Sequence, residues 1–276
     1  MRPLAPNTAA PDVGARLRVA TYNIHKGVRG IGPLRRLEIH NLGQAVEALD
    51  ADLVFLQEVQ HVHRREARRF GHGAAGWPPG GQAEFLAPEG YDAVYRSNAV
   101  TRHGEHGNAL LSRWPLGEPN HRDVSDHRFE QRGLLHVPVR WQGLALEAVV
   151  VHFGLSHAGR VRQIQRLLHF IEREVDPAAP LLVAGDFNDW GDRLDPSLRE
   201  AGLIRAVAPA AARGGAEPRQ PRGLTFPSLA PVFALDRIYT RGLGCACVDV
   251  PRGSRWARMS DHLPLVAEFH WPGARP

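Results

Sequence analysis

The stretch Pro180-Leu-Leu-Val-Ala-Gly-Asp-Phe-Asn-Asp-Trp190 carries the strongest structural signal in the chain. Its apolar run has the length of a strand and ends abruptly in glycine, aspartate and asparagine, so the pattern predicts a buried strand that delivers polar groups at its carboxyl end. Asp186 and Asn188 lie two residues apart and therefore project to the same side of an extended backbone. A carboxylate and a carboxamide in that arrangement suit one bound oxygen or metal. Taken alone, the same residues fit an ordinary Asx turn equally well.

The same arrangement recurs along the chain, because other apolar segments of strand length also lead into polar residues. The predicted strands of this kind cover residues 17–24, 52–58, 144–153, 235–241 and 263–269. The polar residues that they carry, at or beside a strand end or, for Asp236, inside a strand, are Asn23, Glu58, His152, Asp236, Asp261 and His262. Strand ends gather at one edge of an α/β core, so we expect these side chains to converge on one site.

The remaining predicted elements surround this set. Periodic apolar residues predict a clear helix over residues 158–175 and a less regular one over 34–49. Strands are predicted at 91–96, 107–113 and 132–141, the last pairing with 144–153 across Gln142-Gly143. Residues 60–90 predict a long loop with one short helix, and residues 205–232 predict a loop that faces the substrate.

Length and composition favour one α/β domain. The chain has 276 residues and is 43% hydrophobic, and we predict a flexible tail over residues 1–16 and a single domain over 17–272. Apolar runs stay below the roughly 18 residues of a membrane span, and the N-terminus has Pro, Asp and Arg where a signal peptide needs an apolar core. We therefore expect a cytoplasmic monomer without a transmembrane segment. Peripheral contact with membrane lipid stays open.

The charge of the chain favours an anionic partner. A net charge of +5 and a pI of about 9.8 suit DNA or RNA. This argument is weakened because Lys26 is the only lysine and every other basic residue is arginine, a skew that codon bias also produces. Two cysteines, Cys245 and Cys247, are too few for a disulfide framework and argue against a zinc site.

The polar residues have a definite chemical character. Glu58 and Asp261 are hard oxygen ligands that suit Mg²⁺ or Mn²⁺, and Asn23 adds a neutral oxygen. A zinc site would contain more histidine or cysteine. His152 and His262, with carboxylates nearby, suit proton transfer.

Seven motifs in one order resemble the endonuclease/exonuclease/phosphatase superfamily. They are TYNIH (21–25), LQEV (56–59), GNALLSR (107–113), VHFGL (151–155), GDFND (185–189), LDRIY (235–239) and SDHLP (260–264). That superfamily includes deoxyribonuclease I, abasic-site endonucleases, bacterial sphingomyelinases and inositol-polyphosphate phosphatases. The resemblance spans nearly the whole chain and implies a two-layer β-sandwich flanked by helices, a four-layer α/β/β/α fold.

The resemblance also assigns roles. It implies that Glu58 is the principal metal ligand, assisted by Asn23 and Asp261, and that Asp186 orients or deprotonates the attacking water. It implies that the phosphate is contacted by His262, whose tautomer Asp236 fixes and whose protonated form it favours, and by Asn188 and Asn108. It implies that His152 stabilises the phosphorane charge or protonates the leaving oxygen. His25 stays open between a substrate contact and a packed core histidine.

These roles imply a Mg²⁺-dependent phosphodiesterase that acts by in-line attack of water. Nucleic acid is the leading substrate class, with Trp77, Trp190 and Trp256 as candidate stacking residues. A phospholipid phosphodiesterase and a sugar or inositol phosphate phosphatase are the alternatives, and a binding module without catalysis is disfavoured. One departure is Asn23-Ile24-His25, where abasic-site endonucleases carry Asn-x-Asp; it weakens a two-metal site and that activity in particular.

Overall fold

Two six-stranded sheets stacked face to face form the centre of the molecule. The computed structural model describes residues 15–207 and 223–271. The strands in that part of the chain are β1 (Arg16–Asn23), β2 (Val28–Arg29), β3 (Arg36–Leu37), β4 (Leu53–His63), β5 (Asp92–Thr101), β6 (Gly104–Ser112), β7 (Asn120–Asp123), β8 (Gly133–Trp141), β9 (Leu144–His152), β10 (Leu181–Asp186), β11 (Ile204–Arg205), β12 (Asp236–Arg241), β13 (Gly244–Asp249) and β14 (Leu265–His270). The helices are α1 (Ile39–Leu49), α2 (Arg64–Phe70), α3 (Gln82–Leu86), α4 (His157–Glu174), α5 (Asp195–Glu200) and α6 (Trp256–Met259).

The central strands of each large sheet are buried on both faces. The first has the order β13-β14-β1-β4-β6-β5, the second has the order β11-β12-β10-β9-β8-β7, and β2 pairs separately with β3. Alternate residues of a strand point to opposite faces, so in β1 Leu17 and Val19 enter the core between the sheets while Ala20 and Tyr22 face outward. This explains why the central strands read as continuous apolar runs.

Helices cover the two outer faces. The apolar residues of α1 and α3, together with Met259 of α6, pack on the first sheet, and those of α4 and α5 pack on the second. Ser156 caps α4, its hydroxyl accepting a hydrogen bond from the Gly159 N–H at 3.1 Å. The predicted four-layer α/β/β/α architecture is therefore confirmed.

The strand directions place the functional residues at one edge. β1 and β4 run parallel, as do β9 and β10, so all four carboxyl ends approach that edge. β12 runs antiparallel to β10, and its first residue, Asp236, lies opposite the last residue of β10, Asp186. The hairpin of β8 and β9 across Gln142-Gly143 is as predicted, since Trp141 pairs with Leu144.

The structure differs from the prediction mainly between residues 16 and 90. Arg16 already belongs to β1 rather than to a tail, and residues 1–14 lie outside the described residues. The first helix begins at Ile39, after a 3-10 turn at Gly32–Leu34 that contains Pro33. Strand β4 continues to His63 because it pairs with β6, and two helices, α2 and α3, follow where one was expected.

Two further points concern the C-terminal half and the helices. Helix α5 was not predicted, and of the predicted loop at 205–232, residues 208–222 lie outside the described residues. None of the helices that the structure describes is long and apolar enough to cross a membrane.

Candidate active site

Three neighbouring strands of the second sheet place Asp186 at the centre of the site. In the β9–β10 pair His152 lies opposite Asp186, and in the β10–β12 pair Asp236 lies opposite the same residue. All three side chains are buried. Strand register alone therefore aligns residues that lie up to 84 positions apart in the sequence.

His262 joins this row from the loop that precedes β14. Its Nδ1 atom lies 2.7 Å from Asp236 Oδ2, and its Nε2 atom lies 3.7 Å from Asp186 Oδ2. His152 Nε2 approaches the same Asp186 oxygen at 3.6 Å. Asp186 is thus flanked by two imidazoles, one of which a second carboxylate orients, as in hydrolytic triads.

Burial and neighbouring charges give these groups different protonation states. Burial raises the pKa of Asp186 to about 7, and the Asp236 carboxylate acts in the same direction against the opposing charge of His262. Burial opposes the cationic form of His262, but the carboxylates of Asp236 and Asp186 outweigh it and raise the pKa of this imidazole to about 10. Burial, reinforced by the Arg132 charge, holds the pKa of His152 well below its usual value. At neutral pH the site contains a cationic His262, a neutral His152 and an aspartate that can exchange a proton.

Two asparagines hold Asp186 in place. Asn23 Nδ2 donates to Asp186 Oδ2 at 3.1 Å, and the Asn188 backbone N–H donates to Asp186 Oδ1 at 2.9 Å. The Asn188 side chain also donates to the Phe153 carbonyl at 2.9 Å, and its backbone has a left-handed φ of 48°. The turn that follows β10 therefore orients the carboxylate, as well as carrying the carboxamide predicted to meet a phosphate oxygen.

Glu58 enters the site from a β-bulge. The register of β4 against β6 shifts between Leu56 and Val59, and Glu58 adopts a left-handed φ of 56°. Bulges re-aim side chains, and strained backbone of this kind concentrates at functional sites. Burial opposes its ionisation, but Lys26, with Nζ 3.2 Å from Glu58 Oε2, and the neighbouring histidines hold the pKa of this carboxyl well below its usual value. Glu58 is therefore an anion throughout the neutral range.

Asp261 and His25 form the other part of this edge. His25 Nδ1 lies 3.2 Å from Asp261 Oδ1, and both side chains are 40% exposed, so His25 is not a packed core histidine. Burial opposes ionisation of Asp261, but His25 and His262 outweigh it and lower the pKa of Asp261. The Ser260 hydroxyl donates to the Asn23 carbonyl at 2.7 Å, which ties this loop to the end of β1.

The residues near Glu58 fit a hard divalent cation. Glu58 Oε2 is buried beside the Lys26 ammonium at 3.2 Å and accepts no hydrogen bond in good geometry from the described residues, so this ionised carboxylate can take a further cation. Across residues 15–207 and 223–271, no group of three or more His, Cys, Asp or Glu side chains is placed to hold a metal ion. Mg²⁺ commonly uses only one or two carboxylates and keeps several waters, so Glu58 and Asp261 with the Asn23 oxygen suit it better than they suit zinc.

Asn108 lies deeper than the other predicted residues. It is buried in β6, and its amide group donates to the carbonyls of Gly133 at 2.9 Å and Val150 at 3.3 Å, which join the two sheets. Its Oδ1 atom has no hydrogen-bond partner among the described residues. Its predicted contact with a phosphate stays a prediction, and the structure adds a structural role.

Two features border the site and offer contacts to the rest of a substrate. An aromatic cluster of Trp190, Phe226 and Phe233 reaches His262, with ring centroids of Phe226 and His262 4.9 Å apart. On the other side, a pocket of about 550 Å³ is lined by Ala99, Thr101, His106, His127, Phe129, Glu130, Gln131, Arg132, Leu155 and Ser156. Its Arg132 is linked to the site, since Nε donates to the Phe153 carbonyl at 3.2 Å.

Of the three tryptophans predicted to stack on bases, only Trp190 has an exposed side chain, and its stacking role stays a prediction. Trp190 is 44% exposed, whereas Trp77 is 3% exposed and lies near the His63 ring, and Trp256 packs against the core under α1. The prediction for Trp77 was wrong because a local sequence of Gly and Pro hides the long-range packing that buries it.

Sequence reasoning did not assign Lys26, Ser260 or Arg132 to the site. Lys26 and Ser260 both adjoin predicted residues within the motifs TYNIH and SDHLP, and Lys26 is the only lysine. The single occurrence of lysine could have drawn attention to Lys26. Arg132 directly precedes β8, and no sequence feature distinguishes it from the other arginines.

The comparison with known proteins decides the family. A model of the Endonuclease/Exonuclease/phosphatase family matches residues 20–262, a span that includes every candidate site residue from Asn23 to His262. The chain belongs to this family. Members of the endonuclease/exonuclease/phosphatase family hydrolyse phosphate esters, the chemistry that the arrangement of Asp186, His262 and Glu58 suits.

Individual relatives agree with this assignment. The uncharacterized protein YbhP of Escherichia coli strain K12 is 36% identical over 257 residues, which cover 92% of this chain and 96% of YbhP. An endonuclease/exonuclease/phosphatase structure from Beutenbergia cavernae superposes with a TM-score of 0.67 at 22% identity, over 94% of this chain and 72% of that one. A mannosyl-6-phosphatase from Bacteroides thetaiotaomicron superposes with a TM-score of 0.62 at 18% identity, over 92% of this chain and 100% of that one. At these identities the two structures establish the shared fold.

Proposed function

We propose that the protein is a metal-dependent phosphodiesterase, with nucleic acid as the leading substrate class. The observation that carries the proposal is the row of His152, Asp186 and His262, oriented by Asp236 and facing an ionised Glu58. Hydrolysis of a diester by water needs a positioned base and neutralisation of the phosphate charge, and it needs no covalent nucleophile.

The side chains divide these tasks. Asp186, whose pKa burial raises to about 7, holds the attacking water and accepts its proton. His262 is cationic and donates a hydrogen bond to a non-bridging phosphate oxygen, while Asp236 fixes its ring. His152 is kept neutral by burial and serves as a hydrogen-bond donor to the phosphate or the leaving oxygen.

Glu58, Asp261 and Asn23 would hold the cation, with His25 placed to orient Asp261. When bound, Mg²⁺ or Mn²⁺ supplies Lewis-acid stabilisation of the charge that develops on the phosphate. The ionised state of Glu58 and the lowered pKa of Asp261 support this assignment, because both carboxylates are ready to bind a cation at neutral pH.

The aromatic cluster beside His262 supports nucleic acid as the first substrate to test. Trp190 contacts Phe226 and Phe233 with ring centroids 5.8 and 4.7 Å apart, and it keeps an exposed face on which a base can stack. The net charge of +5 supports the same choice.

A phospholipid is the second candidate, and a specific observation favours it. Large apolar side chains are exposed on the loops around the site, with exposed fractions of 82% for Phe129, 63% for Leu155 and 72% for Leu229. Such residues suit contact with a lipid surface.

The site is less suited to a phosphomonoester. The guanidinium of Arg132, which could bind a terminal phosphate, already donates hydrogen bonds to Phe153, Gln131 and Glu130.

The test is hydrolysis by the purified protein with Mg²⁺, run in parallel on plasmid DNA, an abasic-site duplex, anionic phospholipid vesicles and a panel of phosphomonoesters. We expect cleavage of a diester that chelator abolishes and that His262→Ala reduces by about 10²- to 10⁴-fold. His169→Ala, on the exposed face of α4, is the matched control and should keep full activity. Lipid turnover without DNA cleavage would select the second candidate, and turnover of monoesters alone would refute the diesterase.

A further inference from the structure

The only lysine of the chain lies against the carboxylate that is proposed to bind the metal. Lys26 is a single lysine among 34 lysine and arginine residues. Its Nζ atom lies 3.2 Å from Glu58 Oε2, and its side chain keeps 35% of its surface exposed. Its charge also acts on the half-buried His106, which borders the neighbouring pocket. The ammonium is therefore close both to the proposed metal ligand and to the pocket beside the site.

The backbone is built to hold the ammonium there. His25, Lys26 and Gly27 have successive left-handed φ values of 44°, 62° and 68°. Gln82 fixes the turn, its Nε2 donating to the Lys26 carbonyl at 2.9 Å. Glu58, the partner, is left-handed as well. Two residues with left-handed backbone, Lys26 in the 3-10 turn after β1 and Glu58 in β4, thus face one another across one ion pair, and strain of this kind persists where the surrounding structure enforces it.

The chemistry of lysine explains why arginine does not occupy this position. The guanidinium of an arginine has parallel N–H donors and would bind both oxygens of the Glu58 carboxylate. A lysine ammonium is a compact charge that approaches one oxygen. The closest approach of Lys26 to Glu58 is 3.2 Å, at Oε2, so the rest of the carboxylate is available to a cation. A flexible lysine side chain can also change partners without moving the backbone.

We propose that Lys26 is a phosphate-binding residue that forms an ion pair with Glu58 until a phosphate group enters the site. In the free protein it neutralises Glu58 and competes with the divalent cation. In the complex its ammonium turns to a non-bridging oxygen of the phosphate, and Glu58 is left to the cation. The inference rests on the proposed function and adds a residue that controls how tightly metal and phosphate bind.

The single lysine makes a direct test available. Protein grown with [ε-¹³C]lysine should show one Lys26 signal in a ¹H–¹³C correlation spectrum. We expect this signal to shift when Mg²⁺ is added and to shift further, in a different direction, when inorganic phosphate follows. A signal that responds to neither would overturn the proposal. A phosphate titration in chelator tests the lysine independently of the metal.

Affinities of variants provide the second test. Mn²⁺ binding, measured by electron paramagnetic resonance, should become about tenfold tighter in Lys26→Met, because a unit charge a few ångströms from a divalent cation has an effect of that order. Phosphate binding, measured by calorimetry, should weaken by a similar factor. Lys26→Arg should bind Mn²⁺ more weakly than the wild type, since the guanidinium holds both Glu58 oxygens. Arg65→Met, an exposed cation on α2, is the charge-matched control and should alter neither affinity.

The results separate this inference from the proposed function. If the protein hydrolyses a diester but Lys26→Met leaves both affinities within twofold of the wild type, the role of Lys26 is refuted and the function stands. If no ester is hydrolysed and Mn²⁺ does not bind, the proposed function fails. A phosphate-dependent shift of the Lys26 signal in chelator would then still establish the lysine as an anion contact.

Discussion

Two clusters of charged side chains, centred on the buried residues Asp186 and Arg237, lie on opposite faces of the same pair of strand ends. The site cluster contains Asp186, Asp236, His262 and Glu58, and the Arg237 cluster contains Arg237, Asp189, Asp192 and Asp195. Asp236 and Arg237 are adjacent in β12, so their side chains point to opposite faces of the sheet. The motifs GDFND and LDRIY thus each supply residues both to the site and to a second network behind it.

In the Arg237 cluster, one guanidinium binds three carboxylates. The fully buried guanidinium donates to Asp189 Oδ2 at 3.0 Å, Asp192 Oδ1 at 2.8 Å and Asp195 Oδ1 at 3.0 Å. The Tyr239 hydroxyl donates to the same Asp195 oxygen. These contacts tie the turn after β10 and the start of α5 to β12.

The site cluster is less tightly paired than the Arg237 cluster. The Nε2 atoms of His152 and His262 lie 3.6 and 3.7 Å from Asp186 Oδ2, beyond ordinary hydrogen-bond distance. Each cluster keeps one buried carboxylate oxygen without a hydrogen-bond partner among the described residues, Asp236 Oδ1 in the site and Asp189 Oδ1 beside Arg237. The difference in spacing supports our proposal that the Arg237 cluster stabilises the fold and that the site cluster serves the reaction.

The largest effect should come from removing the proposed base. Asp186→Asn should lower kcat by about 10²- to 10⁴-fold, because the carboxamide cannot accept a proton from water. The same change should leave Tm unchanged or raise it, since burial already disfavours the charged form of Asp186. Single-turnover kinetics and calorimetry on the same preparation check both parts. A variant that loses stability along with activity would place Asp186 with the structural network instead.

The opposite pattern is expected for Arg237. Arg237→Met should lower the free energy of unfolding by about 3–5 kcal/mol, because it leaves the buried Asp189 carboxylate, and the partly exposed Asp192 and Asp195, without this cation. Arg205→Met removes a more exposed cation from Asp192 and Asp195 and should cost about 1 kcal/mol or less. Denaturant unfolding measures both variants. The folded fraction of Arg237→Met should keep the kcat of the wild type, and a catalytic loss at full folding would break the distinction between the clusters.

The sequence was informative wherever a functional residue follows an apolar strand. Asp186, His152 and Glu58 each end or follow such a run, and the packing of strands in an α/β fold then brings them together. The apolar runs depend on local pattern, which a sequence displays directly. The four-layer architecture was predicted from the family resemblance that the seven motifs carry.

The sequence was uninformative where long-range pairing decides the structure. β4 extends to His63 only because β6 lies beside it, and Lys26 meets Glu58 only because β1 and β4 are parallel neighbours. Arg237 was not distinguished from the motif that contains it, since nothing local shows that three distant aspartates surround it. For the same reason, the prediction that Trp77 is exposed in its glycine-rich segment was wrong.

Low pH should reduce the stability of the protein through a histidine beside the site. His106 lies near Glu58 and Lys26, and burial, together with the positive charge of Lys26, lowers its pKa to about 4. An unfolded histidine titrates near 6.5, so between these two values the unfolded chain binds a proton that the folded protein does not. Stability should therefore fall as the pH is lowered from 7 toward 4.

His106→Gln should remove part of this dependence. In chelator, to keep the cation site free, the loss of unfolding free energy between pH 7 and pH 4.5 should be about 1–2 kcal/mol smaller than in the wild type, a value reduced for the partial exposure of the ring. His169→Gln, on the exposed face of α4, should keep the wild-type slope. Urea unfolding at a series of pH values measures the difference. An unchanged slope in His106→Gln would show that acid sensitivity resides elsewhere in the molecule, and it would remove His106 from the groups that distinguish the site from the network around Arg237.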